Sequence, residues 1–360
     1  MRRLFVSDCE GPISKNDNAF EVTKNFIPQG DKLFTIISKY DDVRADILKI
    51  PGYDAGSTLK LIVPFLKAFD VTERDIEKYS SDNLFLITDS KVSLEYIRKT
   101  SNAFIVSTSY EQYIKVLCES LDFPFENTYC TNLSIDKYSI TDKEKKGLRK
   151  IANELSELPQ IIIPSKAKSL DDFSKESQNV IKRLDSIFWQ EISNSDISRF
   201  FSDVIPIGGY QKGEAIKDVA RKLNNSINNV IYFGDSITDL EAFNLVKKSG
   251  GLTVSFNGNS YAVKNADVAV LSNSNLVIAI INNLFCNYGT KTTIRLLKDW
   301  SIKTLNKVDL NDDLLSLFLN KYKEDLPIVK ILTSKNTNLL IEESNRFRRS
   351  LRGEAIGSLG

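Results

Sequence analysis

Two short apolar runs in this chain each end at a carboxylate. Leu4-Phe5-Val6-Ser7 runs into Asp8, and Val230-Ile231-Tyr232-Phe233 runs into Gly234-Asp235. Runs this short, bounded by an acid or a glycine, read as strands buried on both faces rather than as helices. After Gly208-Gly209 the pattern alternates. A helix from Glu214 to Leu223 leads to the strand at Val230, then come a helix from Leu240 to Lys248 and strands from Leu252 to Phe256 and Val268 to Leu271. Ala103 to Val106 is a further buried strand, ending at Ser107-Thr108-Ser109. Such alternation predicts an α/β fold with an open, doubly wound parallel sheet. In sheets of this kind ligands bind at the carboxyl ends of the strands. Asp8, Glu10, Ser107, Lys212, Asp235 and Asp239 are therefore expected to meet at one edge.

The remainder is mostly helical. Leu33, Phe34, Ile36, Ile37, Tyr40, Val43 and Ile47 share one helix face. Leu59 to Phe69 suggests another helix, interrupted by Pro64. These patterns divide the chain into a core built from 1–15, 96–140 and 200–288, a helical cap over 16–95, a helical insertion at 141–199 and an α-rich extension at 289–360. The extension reads as a surface for oligomerisation or a protein partner.

Composition excludes much chemistry. There is no histidine in 360 residues, which removes His-based triads, His-ligated metals and phosphohistidine. Cys9, Cys118, Cys130 and Cys286 form no C-x-x-C pair, so reduced thiols are expected rather than zinc or disulfides. A net charge of +1 gives no reason to expect nucleic-acid binding. Two locally basic stretches, Lys143 to Lys150 and Arg346, Arg348, Arg349 and Arg352, read as solvated helix ends. The most apolar stretch, Leu276 to Phe285, is too short to cross a bilayer, and a cytoplasmic location is expected.

Acids placed directly after buried strands are costly unless a cation compensates them. Asp8, Glu10, Asp235 and Asp239 carry four negative charges against one positive charge on Lys212. Two like charges 4 Å apart repel by about 4 kcal/mol at an effective dielectric of about 20. A divalent ion among these oxygen ligands would relieve this, and with no histidine or thiolate the choice falls on Mg²⁺.

Asp8-Cys9-Glu10-Gly11, Ser107, Lys212 and Gly234-Asp235-Ser236-x-x-Asp239 resemble, in order, the four motifs of the haloacid dehalogenase-like superfamily, in its phosphoserine-phosphatase-like branch. The stretches Gly52 to Leu61, Ser107 to Tyr110, Phe256 to Asn259 and Leu351-Arg352-Gly353 are similar to those of an archaeal family of predicted phosphatases. Some methanogen members of that family carry the description energy-converting hydrogenase A, subunit R. The resemblance implies a Mg²⁺-dependent phosphatase acting on a small phosphorylated metabolite through an aspartyl-phosphate on Asp8. Glu10 would be the acid and then the base, with its backbone carbonyl on the metal. Ser107, Thr108 and Lys212 would hold the phosphate, Ser107 being preferred because it directly follows the apolar strand. Asp235 would ligate the metal, and Asp239 would be a ligand or support one.

One departure stands out: the superfamily's phosphatases usually have Asp where this chain has Glu10. The D-x-E-G pattern also resembles that of phosphoserine:homoserine phosphotransferases, so transfer to an acceptor alcohol is an alternative. A non-catalytic subunit that kept the fold is a second alternative. Taken singly, Asp8 reads as a turn residue and Asp239 as a helix N-terminal charge. Tyr40, Asp41, Asp42, Arg44, Tyr53 and Lys60 in the cap are candidate substrate contacts, and equally core or solvated residues.

Overall fold

The computed structural model describes residues 2–164, 166–193, 196–323, 325–357 and 359. Among these residues seven strands form one sheet: β1 (Leu4–Ser7), β2 (Asn102–Tyr110), β3 (Thr128–Thr131), β4 (Val230–Gly234), β5 (Leu252–Phe256), β6 (Val268–Leu271) and β7 (Ile328–Ile331). Their order is β3-β2-β1-β4-β5-β6-β7. All neighbours are parallel except β6 and β7. The apolar runs that set the sequence pattern are the central strands, and every residue of β1, β4, β5 and β6 is buried. That is the signature of parallel strands covered on both faces. Strand order proceeds one way through β2 and β3 and the other way through β4 to β6. The switch point lies between β1 and β4, where a ligand crevice is expected.

Helices cover both faces. Ser90–Thr100, Glu111–Leu121 and Leu276–Lys298 pack on one apolar cluster with Phe5, Ile105, Phe233 and Val254. Tyr210–Lys222 and Leu240–Lys248 pack on the other with Val6, Val106 and Tyr232. β2 runs four residues beyond the expected Val106, through Ser107, Thr108 and Ser109 to Tyr110, so Ser107 lies within the strand rather than after it. β3 carries no strong apolar alternation, and the sequence pattern missed it.

A third apolar cluster sits over the carboxyl edge. It joins the helices Gly30–Asp42 and Thr58–Ala68 to Asp142–Glu157 and Lys175–Ser186. The 141–199 insertion therefore shares its core with the cap helices. Pro64 does not interrupt its helix: Thr58–Ala68 is continuous. Residues Leu61 to Leu66 are all buried, and packing outweighs one lost backbone hydrogen bond. Residues after 289 add β7 to the sheet edge and the helix Thr337–Arg352. All four cysteines are free. Among the described residues no helix is long and apolar enough to cross a membrane.

Candidate active site

β1 and β4 lie in register, with Ser7 opposite Phe233, so the residues that follow them emerge side by side. The Asp8 backbone N–H donates to the Phe233 carbonyl at 2.8 Å. Gly11 has φ +100°, and a side chain there would overlap the Asp235 carboxylate, since a Cβ would come within 2.3 Å of Oδ2. At Gly234 a Cβ would come within 2.5 Å of Asp239 Cγ. Glycine is what lets the two acid-bearing turns close on each other.

Lys212 lies in the first turn of the helix Tyr210–Lys222 and is fully buried. A cation there opposes the helix dipole, and two carboxylates compensate. Its Nζ donates to Asp8 Oδ2 at 2.6 Å and to Asp239 Oδ1 at 2.7 Å. Burial works against the ammonium, but Asp239 and Asp8 more than offset it and hold its pKa above the ordinary lysine value. Asp239 is fully engaged: its Oδ1 also accepts from the Tyr232 hydroxyl at 2.7 Å, and its Oδ2 accepts from the backbone N–H groups of Asp235 and Ser236 at 2.8 and 3.0 Å. Asp8 Oδ1 accepts from the Cys9 N–H at 2.7 Å. Burial raises the Asp8 carboxyl, Lys212 pulls it back, and Asp239 and Asp235 raise it again. Carboxylate oxygens of Asp8, Asp235 and Asp239 lie within 4.8 Å of one another.

Glu10 accepts from the Asn18 N–H at 2.7 Å. Burial, then the neighbouring Asp17, holds its carboxyl well above the usual range. Ser107 is buried and its Oγ accepts from the Ser109 N–H at 3.2 Å. Thr108 donates to the Ile207 carbonyl at 3.2 Å. Thr108 and Ser109, not Ser107, border the cavity above Asp8. Ser109 Oγ is buried with no partner among the described residues, and position alone did not single it out in the sequence. From the cap, Asp41 and Asp42 border the same cavity. Tyr40, Arg44 and Tyr53 instead form a cluster with Trp189 and Asp185 of the insertion, with Arg44 over the Trp189 ring at 4.8 Å. Lys60 lies over the Tyr53 ring.

The largest departure from the sequence reading comes from the C-terminal helix. Arg348 and Arg352 are not solvated: they are 3% and 9% exposed. Leu340, Ser344, Arg348 and Arg352, four residues apart, form the buried face of Thr337–Arg352. Both arginines bond Asp235 Oδ2, Arg352 at 3.0 Å and Arg348 in very close contact. Arg352 also donates to the Lys15 carbonyl at 2.9 Å and to the Asn16 carbonyl. Arg346 and Arg349 on the same helix are exposed. The charge argument changes accordingly. Arg348 and Arg352 join Lys212 as cations facing Asp8, Asp235 and Asp239, while Asp17, partly buried near both arginines, adds one more acid. The excess of negative charge is therefore much smaller than the sequence indicated. The donors still suit a hard cation: they are oxygens only, and Asp235 Oδ1 has no hydrogen-bond partner among the described residues.

A carboxylate at a strand end paired with a buried lysine, at the switch point of a doubly wound sheet and beneath helices, defines an α/β protein with its candidate site at the carboxyl edge of the sheet. The family model of haloacid dehalogenase-like hydrolases matches residues 86–283, and the chain belongs to that family. Among solved structures, a gene product from Archaeoglobus fulgidus is similar over 100% of this chain and 99% of its own, with a TM-score of 0.79 and 24% identity. That likeness shows the shared fold. An apo phosphoserine phosphatase is similar over 81% of this chain and 100% of its own, with a TM-score of 0.42 and 13% identity. No curated protein matches the sequence.

Proposed function

We propose that this hydrolase cleaves a small phosphomonoester through an aspartyl-phosphate on Asp8. The support is the buried bridge in which Lys212 holds both Asp8 and Asp239, beside a Glu10 whose surroundings favour its protonated form.

An Asp8 oxygen attacks phosphorus as the ester P–O bond breaks, and Glu10 gives its proton to the departing alkoxide. Glu10, now a carboxylate, takes a proton from water. That water attacks phosphorus, the Asp8–phosphoryl bond breaks and inorganic phosphate leaves. Lys212 stays protonated throughout and keeps Asp8 aimed at the cavity, while Asp239 aims Lys212. Thr108 and Ser109 would face the phosphoryl oxygens from β2, with Ser107 behind them, its Oγ accepting from the Ser109 N–H. Asp8 and Asp235, with the Glu10 carbonyl, would hold a Mg²⁺, which would help to balance the charge of a phosphoryl dianion. Asp239, with four donors on its two oxygens, supports the site from behind.

The test is a phosphate-release screen over phosphorylated metabolites with Mg²⁺ and with chelator, run beside Asp8→Asn. The expected outcome is Mg²⁺-dependent release that falls at least about 1,000-fold in the variant, the scale of losing an essential nucleophile. Equal release by parent and Asp8→Asn would sink the proposal.

A further inference from the structure

The two arginines on Asp235 are not equivalent. Arg352 engages all three of its guanidinium nitrogens, on the carbonyls of Lys15 and Asn16 and on the Asp235 carboxylate. Arg348 uses Nη1 alone, on the carbonyl and carboxylate of Asp235. Among the described residues its Nε is buried with no partner and its Nη2 makes no hydrogen bond. Leaving guanidinium N–H groups unpaired in a protein interior is costly. Asp17 also attracts Arg348, but no acceptor among the described residues meets its Nε or Nη2, so these N–H groups are open to a ligand.

The location says which acceptor. Arg348 borders a cavity of about 100 Å³ together with Asp8, Glu10, Thr108, Ser109 and Asp235. That is room for a phosphoryl group and few waters besides. Asp235, which Arg348 touches, has a carboxylate oxygen within 4.8 Å of one on Asp8, so a group carried on Asp8 would lie beside the guanidinium. The helix is held in place independently of any ligand: Leu340 is buried and Ser344 donates to the Gly258 carbonyl at 2.6 Å. A planar fork held rigid at an anion's position is the arrangement by which arginine recognises phosphate.

The geometry points to Arg348 as a phosphoryl-contacting residue of the active site, supplied by the C-terminal helix and held in position by Arg352. This rests on the phosphomonoesterase reading above for the identity of the anion. The extension after residue 289 is then part of the catalytic unit, and Arg348 stabilises negative charge on the phosphoryl oxygens as it is transferred.

Titration calorimetry of the full chain with inorganic phosphate, in chelator, tests this without turnover. The parent binds phosphate. Arg348→Ala weakens that binding by about 10- to 100-fold, the scale of a charge-assisted pair. Arg348→Lys recovers part of it, because the charge returns without the fork. Arg346→Ala, on the exposed side of the same helix, binds as the parent does. Thermal unfolding verifies each variant; if Arg348→Ala does not fold, Arg348→Lys carries the comparison through its weaker binding. Failure of the parent to bind phosphate without metal, or unchanged affinity in the folded Arg348 variants, overturns the assignment. Release by Asp8→Asn decides the hydrolase proposal separately, so the two can fail independently.

Discussion

Two buried ion clusters meet at the carboxyl edge, and they are built differently. In one, Lys212 bridges Asp8 and Asp239, and all three stand on turns or helix starts attached to the central sheet. In the other, Asp235 faces Arg348 and Arg352, which arrive on a helix more than 110 residues further along the chain. The first cluster is closed: one ammonium serves two carboxylates, and each carboxylate oxygen accepts at least one hydrogen bond. The second is asymmetric, with Arg352 saturated and Arg348 only partly engaged. The saturated cluster positions the nucleophile. The unsaturated one has capacity left for a ligand.

Breaking the first cluster should have the larger effect. Lys212→Met leaves Asp8 and Asp239 buried without their cation, and removing one member of a buried ion pair costs about 3–5 kcal/mol. Urea unfolding measures this. A loss below about 1 kcal/mol would mean that the cluster is less sequestered from water than its burial indicates.

Arg352→Ala tests the second cluster. Arg348 still faces Asp235, while the Lys15 and Asn16 carbonyls lose their donor. A smaller cost of about 1.5–3 kcal/mol follows for hydrogen bonds made by a charged group. Amide hydrogen exchange should rise along Thr337–Arg352 and leave β1 and β4 protected. Unchanged protection of that helix would show that its apolar contacts alone dock it.

The smallest effect sharpens the boundary of the site, and it is smallest because Glu21 is only half-buried and solvent screening discounts its shift. Glu21 accepts from Asn16, the neighbour of Lys15 in the loop that Arg352 grips. Burial pushes its carboxyl from the ordinary 4.5 up to about 7. A carboxyl raised by folding adds stability that is complete below the unfolded-state value and is lost as pH rises through the folded-state value. Stability should therefore fall between pH 4.5 and 7 on this account, and Glu21→Gln should flatten that part of the profile. A variant whose pH profile of unfolding midpoints overlays the parent's would remove Glu21 as the source.

Asp8 and Asp235 were legible because each follows an apolar strand whose burial forces its direction, and a parallel sheet sends both to one edge. Lys212, in the first turn of the helix Tyr210–Lys222, was legible only through its place in the order of the family's motifs. Glycines 11 and 234 sat in the same motifs, and the close approach they permit was implicit there. Ser107 was favoured on the premise that β2 ends at Val106; the strand continues to Tyr110, and the residues facing the cavity are Thr108 and Ser109. The arginines were misread for a different reason. Charged residues near a chain's end are usually solvated, and nothing local separates Arg348 from Arg346. The four-residue spacing of Leu340, Ser344, Arg348 and Arg352 was the available signal, because it puts two cations on the same face as a core leucine.

The sequence alone determined the central strands and the placement of Asp8 and Asp235 at their ends, because hydrophobic periodicity is a local property propagated by backbone geometry, and its motif order picked out Lys212. Only the tertiary structure decided how the remaining charge is balanced, since that depends on which distant helix packs over the edge. Desolvation made those acids costly, and docking Thr337–Arg352 supplied two guanidiniums where the one-dimensional pattern offered only a single ammonium.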